Sequence, residues 1–480
     1  MKIILINPSY TTECSWSLSY SEPLGLAYIA AAIEKDARHQ VEILDCIGLE
    51  HDFPKSSNNN RVGLEEDIVF DLLRQKKFDV IGITLVKMFS DEKQIYNFIG
   101  KLKREYPEKP IICGGPDATL EWESYMKTGN IDFIVLGEGE GTIIELLEVL
   151  SGKGSLKNVL GLVFQDKEGS IIRNNLRDPL DINTIPWPAR HLLPMRNYLH
   201  YRAKAYYRRN PAATILTSKG CPYKCLFCSA KIIWGNKWRG RSPIDIIDEM
   251  EYLIHIYGVR EFLIQDDNFM VNPKRVEAIC DEIMKRKLLI SWQVVPGLAI
   301  WLLNKDLLLK LKDSGFYALC AQIETGNKKT KQYIKKNISF DHAREIMHYA
   351  NKIGLWTQTN IIIGFYFETK EDILESIRTA ESFHIDNINY VFARPYPHTE
   401  MYRDYLEQNI IGPDDTYIEP LETPHLTREE LIVLRKKAQR NHYLIRFFQI
   451  LNPIVFYQEF WPKINSLEKF IFFIKRIIYV

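Results

Sequence analysis

Short apolar segments alternate with longer amphipathic stretches along the first third of the chain. The apolar segments predict five strands, at residues 3–7, 41–45, 80–84, 110–114 and 133–137. The stretches between them have helical spacing, at residues 24–34, 64–75, 90–106 and 142–150. This alternation is typical of a doubly wound parallel sheet with a Rossmann-like topology, which binds ligands in the loops beyond the carboxyl ends of its strands. We therefore predict an α/β domain over residues 1–150.

The pattern weakens over residues 151–202, which predict a linker with a hairpin of strands at 161–164 and 171–174. It returns over residues 203–400, where strands are predicted at 213–217, 261–266, 291–295, 317–324, 356–363 and 387–392. Six strand–helix repeats indicate a partial (β/α)6 barrel. Residues 401–480 are predicted to be a helical C-terminal region, so the chain is α/β throughout its first four-fifths.

Length and charge limit what this chain can be. At 480 residues it is too long for a single hydrophobic core, and a net charge of +1 provides no overall field for nucleic acid. No apolar run reaches the roughly eighteen residues that cross a bilayer. The first eight residues have the pattern of a strand rather than of a signal peptide, and eight cysteines in this length do not make a secreted disulfide scaffold. We expect a cytoplasmic protein without a nucleic-acid partner.

Three cysteines directly after the first predicted barrel strand carry the strongest chemical signal. Cys221, Cys225 and Cys228 have the spacing CxxxCxxC. Three thiolates bind three irons of a 4Fe-4S cube and leave the fourth iron open, whereas structural zinc sites and electron-transfer clusters are closed by four ligands. Two alternatives stay open: incidental cysteines, or a zinc site completed by His255 or Cys280.

The motif and its position resemble the radical S-adenosylmethionine (SAM) enzymes. The resemblance implies that the amino and carboxylate groups of SAM chelate the open iron, and that Phe227 lies against the adenine. It also implies three polar turns after later strands. Asp266 and Asp267 lie near the SAM amino group or the substrate, Glu324 and Gly326 meet the ribose, and Gly364 and Glu368 back the adenine. Asp266 and Asp267 could instead cap the next helix.

Two segments depart from the pattern of this family. Tyr366 and Phe367 stand where the family usually has Pro-Gly ahead of the glutamate, which puts the shape of that loop in question. After the sixth strand, His398 replaces the glycine of a familiar Pro-x-Pro-Gly-Thr segment.

Glycine-rich loops follow several strands of the first domain. Each alone is an ordinary turn of an α/β domain, but together they resemble the cobalamin-binding domain that precedes many radical SAM cores. The residues that the resemblance places against cobalamin are Pro8, Tyr10, Gly25, Gly114, Gly115, Thr119, Gly137, Glu138 and Gly139. The Asp-x-His-x-x-Gly pattern of cobalt-ligating histidines is absent, and His39 and His51 have the wrong context. We expect no histidine ligand to cobalt.

The combined resemblance is to class B radical SAM methyltransferases, and it implies a 4Fe-4S cluster, SAM and cobalamin as cofactors. Such an enzyme cleaves SAM reductively to a 5′-deoxyadenosyl radical, abstracts hydrogen from an unactivated carbon, and methylates that carbon from methylcobalamin. A cobalamin-dependent cyclase or rearrangement enzyme, a methylthiotransferase-like enzyme with a second cluster at Cys14, Cys46 and Cys113, and a non-enzymatic sensor are the alternatives.

The expected partners are a small-molecule or lipid-like substrate and an external one-electron reductant of the flavodoxin or ferredoxin type. Residues 401–480 become basic and aromatic toward their end. This stretch could pack as a small helical domain, which we favour, cover the active site, or lie peripherally on an anionic membrane.

Overall fold

The computed structural model describes residues 1–11, 21–53, 61–86, 92–201, 207–412 and 419–479. It forms two compact units, Met1–Lys204 with Ile232–Gly235, and Ala205–Lys231 with Asn236–Val480.

The first unit is built on a seven-stranded sheet. Its strands, with a separate two-stranded ribbon of β2 and β4, are Lys2–Asn7 (β1), Tyr10–Thr11 (β2), Gln40–Asp45 (β3), Arg61–Val62 (β4), Val80–Thr84 (β5), Ile111–Gly114 (β6), Phe133–Val135 (β7), Leu162–Gln165 (β8) and Ile171–Arg173 (β9). Its helices are Leu24–Asp36 (α1), Glu66–Arg74 (α2), Glu92–Glu105 (α3), Pro116–Leu120 (α4), Trp122–Lys127 (α5), Gly139–Leu150 (α6) and Met195–Tyr201 (α7).

The strand order of this sheet is β3-β1-β5-β6-β7-β8-β9, and the first five strands are parallel. Both faces are covered by apolar clusters, as the continuous apolar runs require. The order reverses between β1 and β5, and doubly wound sheets bind ligands beyond the carboxyl ends of the strands at such a point. The predicted doubly wound sheet is confirmed.

Four elements of the first unit were not predicted: the short helices α4, α5 and α7, and the ribbon of β2 and β4. The hairpin predicted within residues 151–202 forms as β8 and β9. It pairs antiparallel with β7 and extends the sheet, so the edge of β7 is not left open.

The second unit is a six-stranded parallel sheet with a small ribbon of β11 and β12. Its strands are Ala212–Ile215 (β10), Ser218–Lys219 (β11), Arg239–Gly240 (β12), Glu261–Ile264 (β13), Ser291–Val294 (β14), Phe316–Glu324 (β15), Trp356–Ile363 (β16) and Asn387–Phe392 (β17). The short helix Ala230–Trp234 (α8) has residues in both units. The helices of the second unit up to the sixth repeat are Pro243–Tyr257 (α9), Pro273–Lys285 (α10), Lys305–Asp313 (α11), Lys328–Tyr333 (α12), Phe340–Lys352 (α13) and Lys370–Glu381 (α14). The order β10-β13-β14-β15-β16-β17 confirms the partial (β/α)6 barrel.

The C-terminal region is helical, as predicted. Its helices are Glu400–Glu407 (α15), Arg428–Leu451 (α16), Pro453–Val455 (α17), Trp461–Ile464 (α18) and Leu467–Tyr479 (α19), with a π-helical turn at Phe456–Phe460. Phe460 and Phe472 pack against Tyr317 and Trp356, at the amino ends of β15 and β16. This part of the region therefore lies at the end of the barrel opposite to the carboxyl-end loops. Among the described helices, none combines the length and apolarity that a membrane-spanning segment needs.

Candidate active site

The cysteine-bearing loop begins where β10 ends. The ribbon of β11 and β12 closes the base of this loop. Gly220, directly before Cys221, has a φ of +83°, and a Cβ there would lie 2.6 Å from the carbonyl oxygen of Lys237. Only glycine satisfies both conditions without strain. The chain therefore turns tightly into the cysteine motif from a fixed base.

The motif itself is held by backbone bonds to later elements of the second unit. The amide of Leu226 donates to the carbonyl of Ile334 at 3.3 Å, and the amide of Met401 donates to the carbonyl of Leu226 at 3.1 Å. Cys221 and Cys225 are half-buried, Cys228 is exposed, and all three thiols are free. The Asn268 amide Nδ2 lies 3.7 Å from the Cys221 Sγ and can donate to it. Sequence reasoning did not single out Asn268.

Burial raises the pKa of the Cys221 and Cys225 thiols. Within the described residues, no group of three His, Cys, Asp or Glu side chains is arranged to hold a single metal ion. Thiolates that each bind a different iron of a cube do not converge on one point. Three free thiols on one fixed loop, with an amide donor to sulfur, are a donor set that fits an iron–sulfur cube.

Asp266 lies beneath this loop rather than at its surface. Its fully buried carboxylate accepts a hydrogen bond from the Thr217 amide at 2.7 Å and bonds from the hydroxyls of Thr217 and Ser218. Burial raises its pKa, and the Arg275 guanidinium opposes the rise. With its oxygens engaged in this way, Asp266 fixes the entry to the cysteine loop.

The neighbouring Asp267 is half-buried, and its Oδ2 is 3.4 Å from the Gly220 amide. Neither aspartate caps the next helix, because Asn272 is the cap of α10. The capping alternative is therefore wrong for both residues. A contact of Asp267 with SAM or substrate stays a prediction.

Glu368 organises the turn after β16. One carboxylate oxygen accepts bonds from the amides of Gly364 (2.8 Å) and Phe365 (3.1 Å), and the other accepts from the Thr330 hydroxyl at 2.7 Å. Burial raises the pKa of Glu368 to about 7. Gly364 has a φ of +82°, which favours glycine. Tyr366 and Phe367, which replace the Pro-Gly of the family pattern, pack in an aromatic cluster. Phe227 packs against the same cluster, so the two bulky side chains are accommodated in this loop.

Glu324 ends β15 in a left-handed conformation, with a φ of +68°. Its carboxylate accepts a bond from the Lys336 ammonium at 2.8 Å, and both side chains are largely buried. Lys336 Nζ also lies 5.5 Å from the centre of the Trp301 ring, and the Trp301 indole donates to the Tyr223 hydroxyl within the cysteine motif. The Lys336 charge opposes the rise in the pKa of Cys225 that burial causes.

Gly326 and His398 have local conformational reasons for their positions. A Cβ on Gly326 would lie 2.6 Å from the carbonyl oxygen of Ser376, so glycine allows α14 to approach. His398 has a φ of +65°, the conformation for which glycine, the residue of the family pattern, is best suited. A contact of Gly326 with ribose stays a prediction.

In the first unit, Thr119 joins two of the predicted cobalamin loops. Its hydroxyl donates to the Gly115 carbonyl at 2.9 Å and accepts from the Gly137 amide at 3.0 Å. Gly115 has a φ of +103° and Gly137 a φ of +67°, so both need glycine. Gly114 ends β6, Glu138 is the residue before α6, and Gly139 begins that helix.

The remaining predicted contacts surround the loop after β1. Pro8 is buried between β1 and β2, and burial raises the pKa of the Tyr10 phenol to about 12. A Cβ on Gly25 would meet nothing within 4 Å, so this glycine faces open space. A contact of Gly25 with cobalamin stays a prediction.

A buried polar network at the same end was missed by sequence reasoning. The Asp45 carboxylate, which ends β3, accepts bonds from the Asn7 amide Nδ2 (2.8 Å), the Gly48 amide (3.0 Å) and the Tyr198 hydroxyl (2.6 Å). Burial raises the pKa of Asp45. This network ties α7 to the ends of β1 and β3.

Cys46 and Cys113 are fully buried in one apolar cluster, and burial raises the pKa of both thiols. Cys14 lies outside the described residues. Cys46 and Cys113 thus pack as small apolar side chains.

Comparison with known proteins assigns both units. The model of the B12 binding domain matches residues 17–147, and the model of the Radical SAM superfamily matches residues 215–380. An uncharacterized methyltransferase of Pyrococcus horikoshii is 31% identical over 92% of this chain and 93% of its own length. The cytidylyl-2-hydroxyethylphosphonate methyltransferase of Streptomyces wedmorensis is 28% identical over 86% of this chain and 83% of its own length.

The fold is also similar to that of a solved structure, the radical SAM methyltransferase TsrM of Kitasatospora setae with cobalamin and a [4Fe-4S] cluster bound. The TM-score is 0.69 at 16% identity, over 88% of this chain and 82% of that one. Both family models match here, and a relative above 30% identity covers nearly the whole chain. The chain therefore belongs to the cobalamin-binding radical SAM methyltransferases, enzymes that use a 4Fe-4S cluster, SAM and cobalamin.

Proposed function

We propose that this enzyme methylates an unactivated carbon of a small-molecule or lipid-like substrate, with the cluster held by Cys221, Cys225 and Cys228. The observation that carries the proposal is the gathering of the cysteine loop and the turns of Asp266, Glu324 and Glu368 after strands of one parallel barrel. The carboxyl ends of parallel strands share one edge, which is where barrels build active sites. The two relatives above are both named methyltransferases, and this favours methylation over cyclisation or rearrangement.

When bound, the cluster and SAM supply the hydrogen abstraction and cobalamin supplies the methyl group. The residues of the chain hold the reactants in place. Asp266 fixes the entry to the cysteine loop, and Glu368 fixes the turn against which Phe227 packs. The buried Lys336 ammonium and the Glu324 carboxylate form a charged pair beside the cysteine motif, suited to the amino acid and ribose groups of SAM. In the first unit, Thr119 fixes the loops offered to cobalamin.

The external reductant is a further part of the proposal. Reductive cleavage of SAM needs one electron, and we propose a flavodoxin or a ferredoxin as its donor. A cluster held by Cys221, Cys225 and Cys228 would need one electron for each cleavage of SAM, so turnover would depend on that donor.

The reaction is tested with methyl-deuterated SAM. Anaerobic protein loaded with iron, sulfide and cobalamin is incubated with dithionite and with metabolite and lipid extracts of the source cells. We expect a product that carries the deuterated methyl group, with formation of both 5′-deoxyadenosine and S-adenosylhomocysteine, and none of these with Cys228→Ala. Formation of 5′-deoxyadenosine without label transfer or S-adenosylhomocysteine would support a cyclase or rearrangement enzyme instead. Absence of SAM cleavage would support a sensor.

Cobalt should bind without a nitrogen ligand from this protein. His39 lies directly before β3, at the amino end of the sheet, and its Nδ1 is 3.3 Å from the N-terminal nitrogen of Met1. The predicted cobalamin loops lie at the opposite end. We expect the Co(II) electron paramagnetic resonance spectrum to be the same whether the histidines of the protein carry ¹⁴N or ¹⁵N. A nitrogen splitting that changes with this label, and disappears in His39→Ala or His51→Ala, would contradict the prediction.

A further inference from the structure

Exposed apolar side chains are concentrated near the end of the chain. Thirteen large apolar or aromatic side chains between Tyr443 and Ile474 are each at least 37% exposed. They are Tyr443, Leu444, Ile445, Phe447, Phe448, Leu451, Ile454, Tyr457, Trp461, Leu467, Phe470, Ile471 and Ile474. We call them the C-terminal apolar surface. A patch of this kind on a water-soluble protein marks an interaction site.

In the segment that carries the C-terminal apolar surface, charged side chains are buried while apolar side chains are exposed. Arg446 and Lys463 are almost completely buried, and both bind the carboxylate of Asp386. Glu459 also points inward, to Arg446 and His384. Burying charges while exposing phenylalanines is unfavourable in water, because each buried charge must be desolvated. The arrangement becomes favourable when the outer face meets an apolar medium.

The exposed face of α16 changes character along the helix. Lys436, Lys437 and Arg440 are exposed in its middle turns. The last three turns expose Leu444, Phe447, Phe448 and Leu451. In α19, the exposed residues Leu467, Phe470, Ile471 and Ile474 have the spacing of one helical stripe, while Phe472 faces the barrel. Apolar residues with a cationic margin are the pattern of helices that lie in a lipid interface.

The positive charge of the C-terminal helices indicates which partner binds the C-terminal apolar surface. Residues 428–480 hold ten Lys and Arg against four Asp and Glu. With Asp386, which binds Arg446 and Lys463 from outside this range, the formal charge is +5 in a chain whose total is +1. Glu459 and Glu468, the carboxylates of residues 441–475, are both in ion pairs. A second copy of the chain would bring the same cationic margin and no spare carboxylate to neutralise it. An anionic lipid surface supplies both the apolar medium and the negative charge.

We propose that the C-terminal apolar surface, with Lys436, Lys437 and Arg440 at its margin, docks this enzyme on anionic membranes. The helices lie in the interface and do not span it. Because Phe460 and Phe472 pack at the amino ends of the barrel strands, docking leaves the carboxyl-end loops of the second unit free for SAM and substrate.

The full-length protein is tested by flotation with vesicles of phosphatidylcholine alone and of phosphatidylcholine with phosphatidylglycerol. We expect at least tenfold stronger partitioning onto the anionic vesicles, weakened by salt. The variant Phe447→Gln/Phe448→Gln/Leu451→Gln should lose about tenfold or more of this partitioning, and so should Lys436→Gln/Lys437→Gln/Arg440→Gln. The matched control is Ile244→Gln/Ile256→Gln/Leu289→Gln, which changes three exposed apolar residues elsewhere in the second unit and should bind as wild type.

A second measurement does not depend on how these variants fold. Brominated phosphatidylglycerol should quench tryptophan fluorescence, and Trp461→Phe should remove most of the quenching. The proposal is overturned if the wild type floats with neither vesicle or if the control variant loses as much binding as the others. It is also overturned if light scattering shows a dimer that the Phe447 variant dissociates while vesicles are not bound, because the occupant is then a second copy.

Discussion

Cys221→Ala, Cys225→Ala and Cys228→Ala should each abolish the cluster and all reductive cleavage of SAM. Three thiolates are the minimum that keeps a cube with one open iron, and the loop provides no fourth cysteine to replace a lost one. Anaerobically reconstituted wild type should hold about four irons per chain, by the same ligand count, and each variant close to none. Iron analysis, the resonance signal of the reduced cluster and 5′-deoxyadenosine formation are the three measurements.

The matched controls are Cys46→Ala, Cys113→Ala and Cys280→Ala, which remove buried thiols outside the motif. They should retain the full iron content, since all three thiols are buried away from the motif. Loss of about half the iron in the Cys46 or Cys113 variant would favour the methylthiotransferase-like arrangement with a second cluster. Zinc in the wild type, or a cluster that survives all three motif substitutions, would refute the assignment of the motif.

Most of the fold was predictable because the strands are buried on both faces. Strand β1, for example, is apolar and buried at four successive positions, residues 3–6, and this run stands out without any knowledge of its neighbours. The ribbon of Tyr10–Thr11 and Arg61–Val62 was missed because two residues are too few to show a period. Its pairing joins segments far apart in sequence and depends on the tertiary fold.

The chemistry of the site was predictable from the sequence where a motif specifies it. It was less predictable where the burial of a side chain determines its partners. The sequence marks an acidic turn at Asp266 and Asp267, but only packing shows that Asp266 faces inward to Thr217. A buried carboxylate at Glu324 requires a partner, which sequence reasoning anticipated without identifying. That partner, Lys336, lies in an irregular turn, where Lys335 has a φ of +56° and no periodic pattern points inward.

Asp386→Ala should cause the largest loss of stability among single substitutions in the C-terminal network. The Asp386 carboxylate binds both Arg446 and Lys463 and accepts a bond from the Thr357 amide at 2.9 Å. These two cations hold the pKa of Asp386 well below its usual range against the effect of burial. Removing the carboxylate leaves buried positive charge without its counterion, which costs about 3–5 kcal/mol. Urea-induced unfolding measures this loss.

The matched control is Asp341→Ala, which breaks the exposed ion pair with Arg344 and should cost less than about 0.5 kcal/mol. Asp386→Asn keeps an accepting oxygen but no charge, so its loss should lie between the two. A midpoint for Asp386→Ala no lower than that of Asp341→Ala would show that the buried network does not anchor the C-terminal helices. If the loss of stability is as large as expected, the ion pairs that hold Arg446 and Lys463 in the interior also hold Phe447 and Phe448 at the surface. The buried network of Asp386, Arg446 and Lys463 would then be what keeps the C-terminal apolar surface exposed.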